Sequence, residues 1–341
     1  MKTLVWAGPE KMVNEDRDPV QLGIDEVLIR VESVGVCGSE IEGYLGHNSL
    51  RIPPLVMGHE FCGIVANIGE GVIGLEKGLK VTVNPLISCG TCLRCRQGKE
   101  NLCDKRAIVG IHRPGAFAEY VSVPANSVRV VPSSMNASRA ALTEPLACAW
   151  RATRRAMSDN NYANVVVFGA GAIGLLSAFS AQILGARKVI IVDLNDARLE
   201  NAKAAGIEYT VNSGKNDMKK RLRDIADGAG IDVVIDAAGF QTTRSSSLEI
   251  LNAGGTFMNI GLGIDETILR INHTIRSEIN ILGSFCYCQQ DFSDALHLLT
   301  DGRITEEGWS EVRPMSEGQK AFEDLVLGKV SKGKIFLDPN I

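Results

Sequence analysis

No stretch of the 341-residue chain is apolar over the length a membrane-spanning helix needs, about 20 residues. No block of lysines and arginines stands out, and the net charge is −4. The basic footprint by which proteins neutralise nucleic-acid phosphates is therefore missing. Neither a membrane nor a nucleic acid is expected as a partner. There is no internal repeat, no low-complexity tract and no long linker. The N-terminus, MKTLVWAGPEKMV, carries one early lysine but no sustained apolar segment. A secretory signal is not expected, and the cytoplasm is the expected compartment. What remains is an ordinary globular composition, 45% hydrophobic and 22% charged, with length for about two domains.

Nine cysteines have to be explained in a compartment where disulfides rarely persist. Four of them, Cys89, Cys92, Cys95 and Cys103, crowd into one loop that has no apolar periodicity. Four thiolates at this spacing can close a tetrahedral Zn²⁺ shell with no open position, as a structural zinc requires. Cysteines two residues apart in a tight loop are poorly placed for mutual disulfides. Arg94, Arg96 and Lys99 can offset the negative charge of such a site.

A second chemical signal lies in VVVFGAGAIGLLSAFSAQILGARKVIIVD, residues 165–193. An apolar run leads into Gly169, Gly171 and Gly174, then an Ala- and Leu-rich segment, then a second apolar run ending in Asp193. That is the order of a dinucleotide-binding βαβ unit. Gly169 allows the tight turn, Gly171 lets a pyrophosphate approach the backbone, and Gly174 lets the helix pack on the strand. Free N–H groups at the helix start, around Ala172 and Ile173, face the phosphates. The Asp193 carboxylate can accept from ribose hydroxyls and would repel a 2′-phosphate. Leu194 follows it rather than a basic residue, which favours NAD over NADP. Arg198, one helical turn on, either reaches a phosphate or is a solvated arginine.

The chain before about Lys80 reads as short strands, with runs at Val27–Val31, Gly63–Ile68 and Leu79–Val83 punctuated by glycine and proline. Gly115–Val123 reads as a returning strand. Ala140–Met157 is helical in character. After the glycine unit, strands and helices alternate. Helices are predicted at 195–205, with Asn195 as N-cap and Gly206 as stop, at 216–226 and at 245–251. Strands are predicted at 209–212, 231–237, 255–260 and 279–283. Six apolar strands with intervening helices fit a doubly wound parallel sheet. Helices at 292–300 and 320–327 and a strand at 333–337 follow, and this tail is expected to return to the β-rich part.

Cys37 in GVCGSE, His59 and Glu60 in GHEFCG, and Glu144 in EPLA are dispersed candidates for a second metal. Thiolate, imidazole and carboxylate make a Zn shell that can keep one position open. Singly, each is weak: a lone cysteine is usually an apolar filler and a lone histidine more often a surface or hydrogen-bonded residue.

These stretches, with the four-cysteine loop, GAFAEYV and GAGAIG, all in one order, resemble the zinc-dependent medium-chain alcohol and polyol dehydrogenases over nearly the full length. The resemblance implies an α/β protein. A GroES-like β-rich catalytic domain (1–145, with a return segment 284–341) is interrupted by a Rossmann domain (146–283). It implies two Zn²⁺ per chain, one catalytic and one structural, with NAD as cofactor. Cys37 and His59 match the catalytic zinc ligands. Glu60 matches a carboxylate that binds zinc directly or through water. Glu144 stands where the polyol branch has a glutamate. Cys148 is packing or a further contact. Ser39 matches the hydroxyl that receives the alcohol proton. The histidine that many relatives place three residues later is Glu42 here, so either Glu42 takes that role or protons leave through water. His47 and His112 are further titratable candidates, or solvated loop histidines. Thr143, Phe117 and the loop around Tyr287 can line the pocket on position alone.

The expected activity is hydride transfer from a secondary alcohol (a polyol, sugar or sugar-acid derivative) to NAD⁺, by a homodimer or homotetramer. A threonine-type hydroxy amino acid dehydrogenase is the alternative within enzymes. A non-catalytic NAD-binding sensor or scaffold is the alternative outside them.

Overall fold

The computed structural model describes every residue but Pro19 and Asn216. Its first architectural unit grows from the strand Glu26–Gly35. Alternate residues of that strand, Val27, Ile29 and Val31, are fully buried, the period-two pattern of a half-buried strand. It pairs antiparallel with Glu60–Ile68 and with Tyr120–Pro124. The sheet continues through Lys80–Val83 to Val128–Val130 on one side. On the other side it takes in the last strand, Lys334–Asp338, which pairs with Glu26–Gly35 and, in parallel, with Ser310–Pro314. A separate three-stranded sheet holds Lys2–Gly8 between Lys11–Asp16 and Leu55–Val56. The tail therefore does rejoin the β-rich part, through a strand that sequence reading anticipates (334–338) and one that it misses (310–314).

The second unit is a six-stranded sheet, all of whose pairings are parallel, in the order Tyr209–Asn212, Lys188–Asp193, Asn164–Phe168, Ile231–Asp236, Leu251–Asn259, Asn280–Gly283. This is the doubly wound sheet read from the sequence. Its central strand Asn164–Phe168 is buried throughout, as a strand covered by helices on both faces must be. The order reverses beside that strand, so a crevice opens at its carboxyl end.

Element ends differ from expectation by a few residues. Asn195 caps the helix Asp196–Ala204 by accepting from the Arg198 N–H at 3.2 Å, and Gly206, with φ +101°, lets the chain leave it. The next helix runs Met218–Ile225 behind an Asp217 cap; its expected first residue, Asn216, lies outside the described residues. The helix expected at 245–251 is Gln241–Ile250. Leu251 already belongs to the strand Leu251–Asn259, which begins four residues before the expected 255. The apolar residues of 248–251 suit either a helix face or a strand, and pairing with Ile231 decides it.

The region expected to be one helix at 140–157 is two, Ala137–Ala141 and Thr143–Ala156. The second is buried on most of its circumference. Its alanines at 147, 149, 152 and 156 are at most 1% exposed and share one core with the helices Ala172–Ile183 and Gln289–Thr300. Small side chains let three helices approach closely. This helix carries Glu144 in its first turn.

Candidate active site

The short helix Gly38–Tyr44 follows directly on the strand Glu26–Gly35 and its extension. Cys37 is its N-cap, Ser39 and Glu40 lie in its first turn, and Glu60 begins the strand paired with Gly35. Register thus brings Cys37, His59 and Glu60 together. One donor atom from each lies within 4.8 Å of those of the others. His59 and Glu60 are buried and Cys37 is partly so.

Glu40 holds this arrangement. The carboxylate is fully buried. Oε2 accepts the Cys37 N–H at 3.0 Å, and Oε1 accepts the Gly58 N–H and pairs with His59 Nδ1, both at 2.8 Å. With Nδ1 engaged by a carboxylate, Nε2 is the nitrogen left to bind a metal, the usual carboxylate–histidine arrangement behind a metal ligand. Burial alone would raise the Glu40 pKa, but His59, Arg51 and these hydrogen bonds outweigh it, and the pKa is lowered. Burial likewise disfavours the charged imidazole of His59, yet the Glu40 and Cys37 charges raise its pKa well above the ordinary value. A soft thiolate, an imidazole and a carboxylate converging here are a donor set that fits Zn²⁺ with one position open.

Two further carboxylate contacts frame the site. Glu60 makes an ion pair with Lys334, whose Nζ also donates to the Val36 carbonyl at 2.9 Å. Both side chains are almost completely buried. Glu144 is not part of the mutual cluster of three; its Oε1 lies 3.8 Å from Cys148 Sγ. Burial, helped by the Glu60 charge and opposed by His59 and Lys334, pushes its pKa up to about 7.

Ser39 Oγ lies 3.4 Å from Cys37 Sγ and accepts from Arg51 Nη2 at 3.2 Å. Glu42, one turn on, pairs with His47 Nδ1 at 3.3 Å, with both side chains substantially exposed. His112 is exposed and accepts the Ile108 N–H. Phe117 packs edge-on against Phe322 in the core of the β-rich unit, and the Thr143 hydroxyl donates to the Ala140 carbonyl. Neither of those two side chains is free for a substrate. Lys334, Arg51 and Glu40 escape sequence reading. A lysine in an apolar strand, KIFLD, is the one local signal among them.

In the four-cysteine loop the Sγ separations are 3.5 Å (Cys92–Cys95), 3.5 Å (Cys89–Cys103) and 4.0 Å (Cys89–Cys95). Four sulfurs about 2.3 Å from one ion stand about 3.8 Å apart along the tetrahedron edges. A disulfide would need about 2.05 Å, and all nine cysteines are free. The N–H groups of Cys92 and Cys95 point at Cys89 Sγ (3.4 Å) and Cys92 Sγ (3.5 Å). The backbone donors at Thr91 and Cys92 lower the Cys89 thiol to about 6. The loop fits a closed tetrahedral zinc.

The glycine turn sits at the carboxyl end of Asn164–Phe168. Gly169 has φ +99°, open to glycine. A Cβ on Gly174 would run into the Gly169 carbonyl, so this glycine is required by packing. A Cβ on Gly171 would meet no protein atom within 4 Å. The backbone at Gly171 is thus open to an approaching group. The helix Ala172–Ile183 has no side-chain cap at Gly171, so its first N–H groups are free for an anion. Asp193 braces the turn: Oδ2 accepts the Ala170 N–H at 2.7 Å and Oδ1 the Asn195 N–H at 2.8 Å. Each oxygen keeps a lone pair for a ribose hydroxyl. Leu194 is exposed and Arg198 half-buried beside it. These residues fit a dinucleotide.

Comparison with known proteins agrees with this geometry. Residues 23–133 match the alcohol dehydrogenase GroES-like domain and residues 172–301 the zinc-binding dehydrogenase domain. The chain is 34% identical to a sorbitol dehydrogenase of Halalkalibacterium halodurans, over 94% of each chain. It is 33% identical to D-xylulose reductase A of Aspergillus oryzae, over 96% of this chain and 94% of that one. A zinc-binding dehydrogenase of Sinorhizobium meliloti 1021, solved with NADP, superposes with a TM-score of 0.91 at 29% identity over 99% of both chains. The chain belongs to the zinc-dependent medium-chain alcohol and polyol dehydrogenases, enzymes that work with zinc and a nicotinamide cofactor.

Proposed function

We propose that this enzyme oxidises a secondary alcohol of a polyol, sugar or sugar acid with NAD⁺. The observation that carries the reading is the convergence of Cys37, His59 and Glu60 beside the partly exposed Ser39 hydroxyl. Cys37 and His59 hold the catalytic zinc, Glu60 binds it directly or through water, and Glu144 is the fourth candidate ligand. Zinc held there supplies a Lewis acid that lowers the pKa of an alcohol, and the nicotinamide supplies the hydride acceptor.

The chain's own residues do the rest. Ser39 takes the alcohol proton, and the exposed Glu42–His47 pair lies on the solvent side as its outlet. Lys334 balances the buried Glu60 charge, so the carboxylate is held at the site without a net buried charge of its own. Glu40 fixes the tautomer and orientation of His59. Gly171 and the N–H groups of Ala172 and Ile173 take the pyrophosphate, and Asp193 takes the ribose. Asp193 and Leu194 favour NAD; Arg198 is the residue that would serve a 2′-phosphate. Cys89, Cys92, Cys95 and Cys103 hold a second, structural zinc, giving two per chain. The catalytic unit is residues 1–145 with 284–341, the cofactor unit 146–283, and the substrate enters between them. Exposed Ile271, Ile275 and Ile281 around the edge strand Asn280–Gly283 support a homodimer or homotetramer, with the cytoplasm as its compartment.

The test is a reduction screen with NAD⁺ and NADP⁺ across polyols, sugar acids, cyclitols and hydroxy amino acids, with zinc measured per chain. Turnover of a polyol or sugar acid with NAD⁺ at about two zinc per chain is expected. Turnover of threonine alone, or no turnover with one zinc confined to the cysteine loop, would overturn the reading.

A further inference from the structure

Arg51 is 3% exposed. Its stem crosses the helix Gly38–Tyr44 at Gly43, where a Cβ would run into Arg51 Cδ. The helix therefore needs a glycine at that point to admit the side chain. Burying a guanidinium is costly unless it is paired and fully hydrogen-bonded. Here Nη2 donates to Ser39 Oγ, while Nε and Nη1 have no hydrogen-bond partner among the described residues. Glu40 is felt through space only, and both its oxygens are occupied by Cys37, Gly58 and His59. The one group Arg51 grips is the Ser39 hydroxyl.

We propose that Arg51 is a positioning residue for Ser39, fixing which way the hydroxyl's proton and free lone pair point. The inference rests on the reading that Ser39 meets the alcohol oxygen. A guanidinium only donates and does not deprotonate. Its N–H therefore always occupies one lone pair of Ser39 Oγ. The Ser39 proton is turned away from Arg51, toward the Cys37 side of the hydroxyl, 3.4 Å away. The second lone pair is left free, and Ser39 is partly exposed while Arg51 is buried. A fixed cation behind the serine also keeps its oxygen from holding an extra proton, so uptake of the alcohol proton has to be matched by release of the serine's own. Arg51 itself carries no proton: as Ser39 takes the alcohol proton on its free lone pair it gives up its own O–H proton, which turns from Cys37 to water on the exposed side, and the hydroxyl is regenerated.

The test is a double-mutant cycle on the zinc-loaded enzyme with Arg51→Gln, Ser39→Ala and both together, plus Arg51→Lys. Each is assayed with the fastest neutral polyol and the fastest sugar acid of the screen, and with zinc content measured. Losing a charged hydrogen bond that acts in the transition state lowers kcat about 10- to 100-fold. Arg51→Gln is expected to do so for both substrates, with KM for NAD⁺ and zinc content unchanged and partial recovery in Arg51→Lys. The double variant is expected to be no slower than Ser39→Ala, because Arg51 acts through that hydroxyl. Multiplying losses would overturn the proposal. So would a defect confined to KM for the sugar acid, which would make Arg51 the anion's own partner, or a fall in zinc content, which would place its action on Glu40. Full activity in Ser39→Ala would remove the underlying reading of Ser39 and this proposal with it. If Arg51→Gln does not fold, Arg51→Lys enters the same cycle with the same expected non-additivity.

Discussion

Replacing Glu40 by glutamine tests whether one carboxylate organises the catalytic zinc. The change keeps shape and removes charge. Glu40 serves three donors, the N–H groups of Cys37 and Gly58 and the His59 ring. A glutamine amide has one oxygen. Turned toward Gly58 and His59, it sets its NH₂ against the Cys37 N–H; turned the other way, it opposes two donors. The first orientation is the better one, and it leaves one buried N–H unpaired at about 1–3 kcal/mol. The charge behind His59 is lost in either case. Removing such a partner typically weakens metal affinity roughly 10- to 100-fold, which is about 1.4–2.7 kcal/mol and so of the same size as the hydrogen-bond count. In chelator competition, Glu40→Gln is expected to release one zinc at roughly 10- to 100-fold lower chelator strength than the parent. The second zinc stays, since the cysteine loop shares no residue with Glu40. The kcat per catalytic zinc is expected to stay near the parent value. Identical chelator midpoints for both metals would refute the assignment, as would loss of the cysteine-loop zinc first.

The glycine turn offers a paired test. Gly174→Ala is expected to lower the melting temperature, because its Cβ meets the Gly169 carbonyl. Gly171→Ala, whose Cβ meets open space, is expected to raise KM for NAD⁺ with the melting temperature unchanged. Equal thermal losses in both would remove the cofactor reading of Gly171. Lys334→Met leaves Glu60 buried and unpaired. Breaking such a pair costs about 3–5 kcal/mol, and calorimetry is expected to show a melting point several degrees lower, whereas Lys334→Met with Glu60→Gln together recovers part of it. No recovery in the double variant would show that the two side chains are not energetically coupled.

The parts of the site that the sequence makes legible are those whose meaning is local. Four cysteines within fifteen residues and three glycines between two apolar runs carry their geometry in their spacing. Cys37, His59 and Glu60 are each mute alone, and only their order within a familiar series marks them. Glu40 and Arg51 are not legible at all, and Lys334 only as a lysine inside the apolar strand KIFLD. A glutamate in the first turn of a seven-residue helix looks like a solvated helix-start acid, and an arginine in HNSLRIPP looks like a loop charge. Their significance comes from being buried, and burial is decided by strand pairings between residues far apart in the chain. The strand Ser310–Pro314 was missed for a related reason. It is short and only half-buried, and its identity comes from the parallel partner Lys334–Asp338.

The Glu60–Lys334 pair joins positions 274 residues apart. A ribosome adding about 5–20 residues per second needs roughly 14–55 s to cross that interval. Throughout it, the nascent chain already carries Cys37, His59 and Glu60 but has neither the ammonium that balances Glu60 nor the final strand that covers the edge at Val34 and Gly35. An uncovered edge is a place for strands of other chains to add. The strands of the cofactor-binding sheet, by contrast, are contiguous from 164 to 283, and the helix Gln289–Thr300 that shares its core follows directly. The connectivity thus separates the two halves in time: the strands of the cofactor-binding sheet are all made by residue 283, whereas the sheet that carries Glu60 gains its last strand only at Lys334–Asp338.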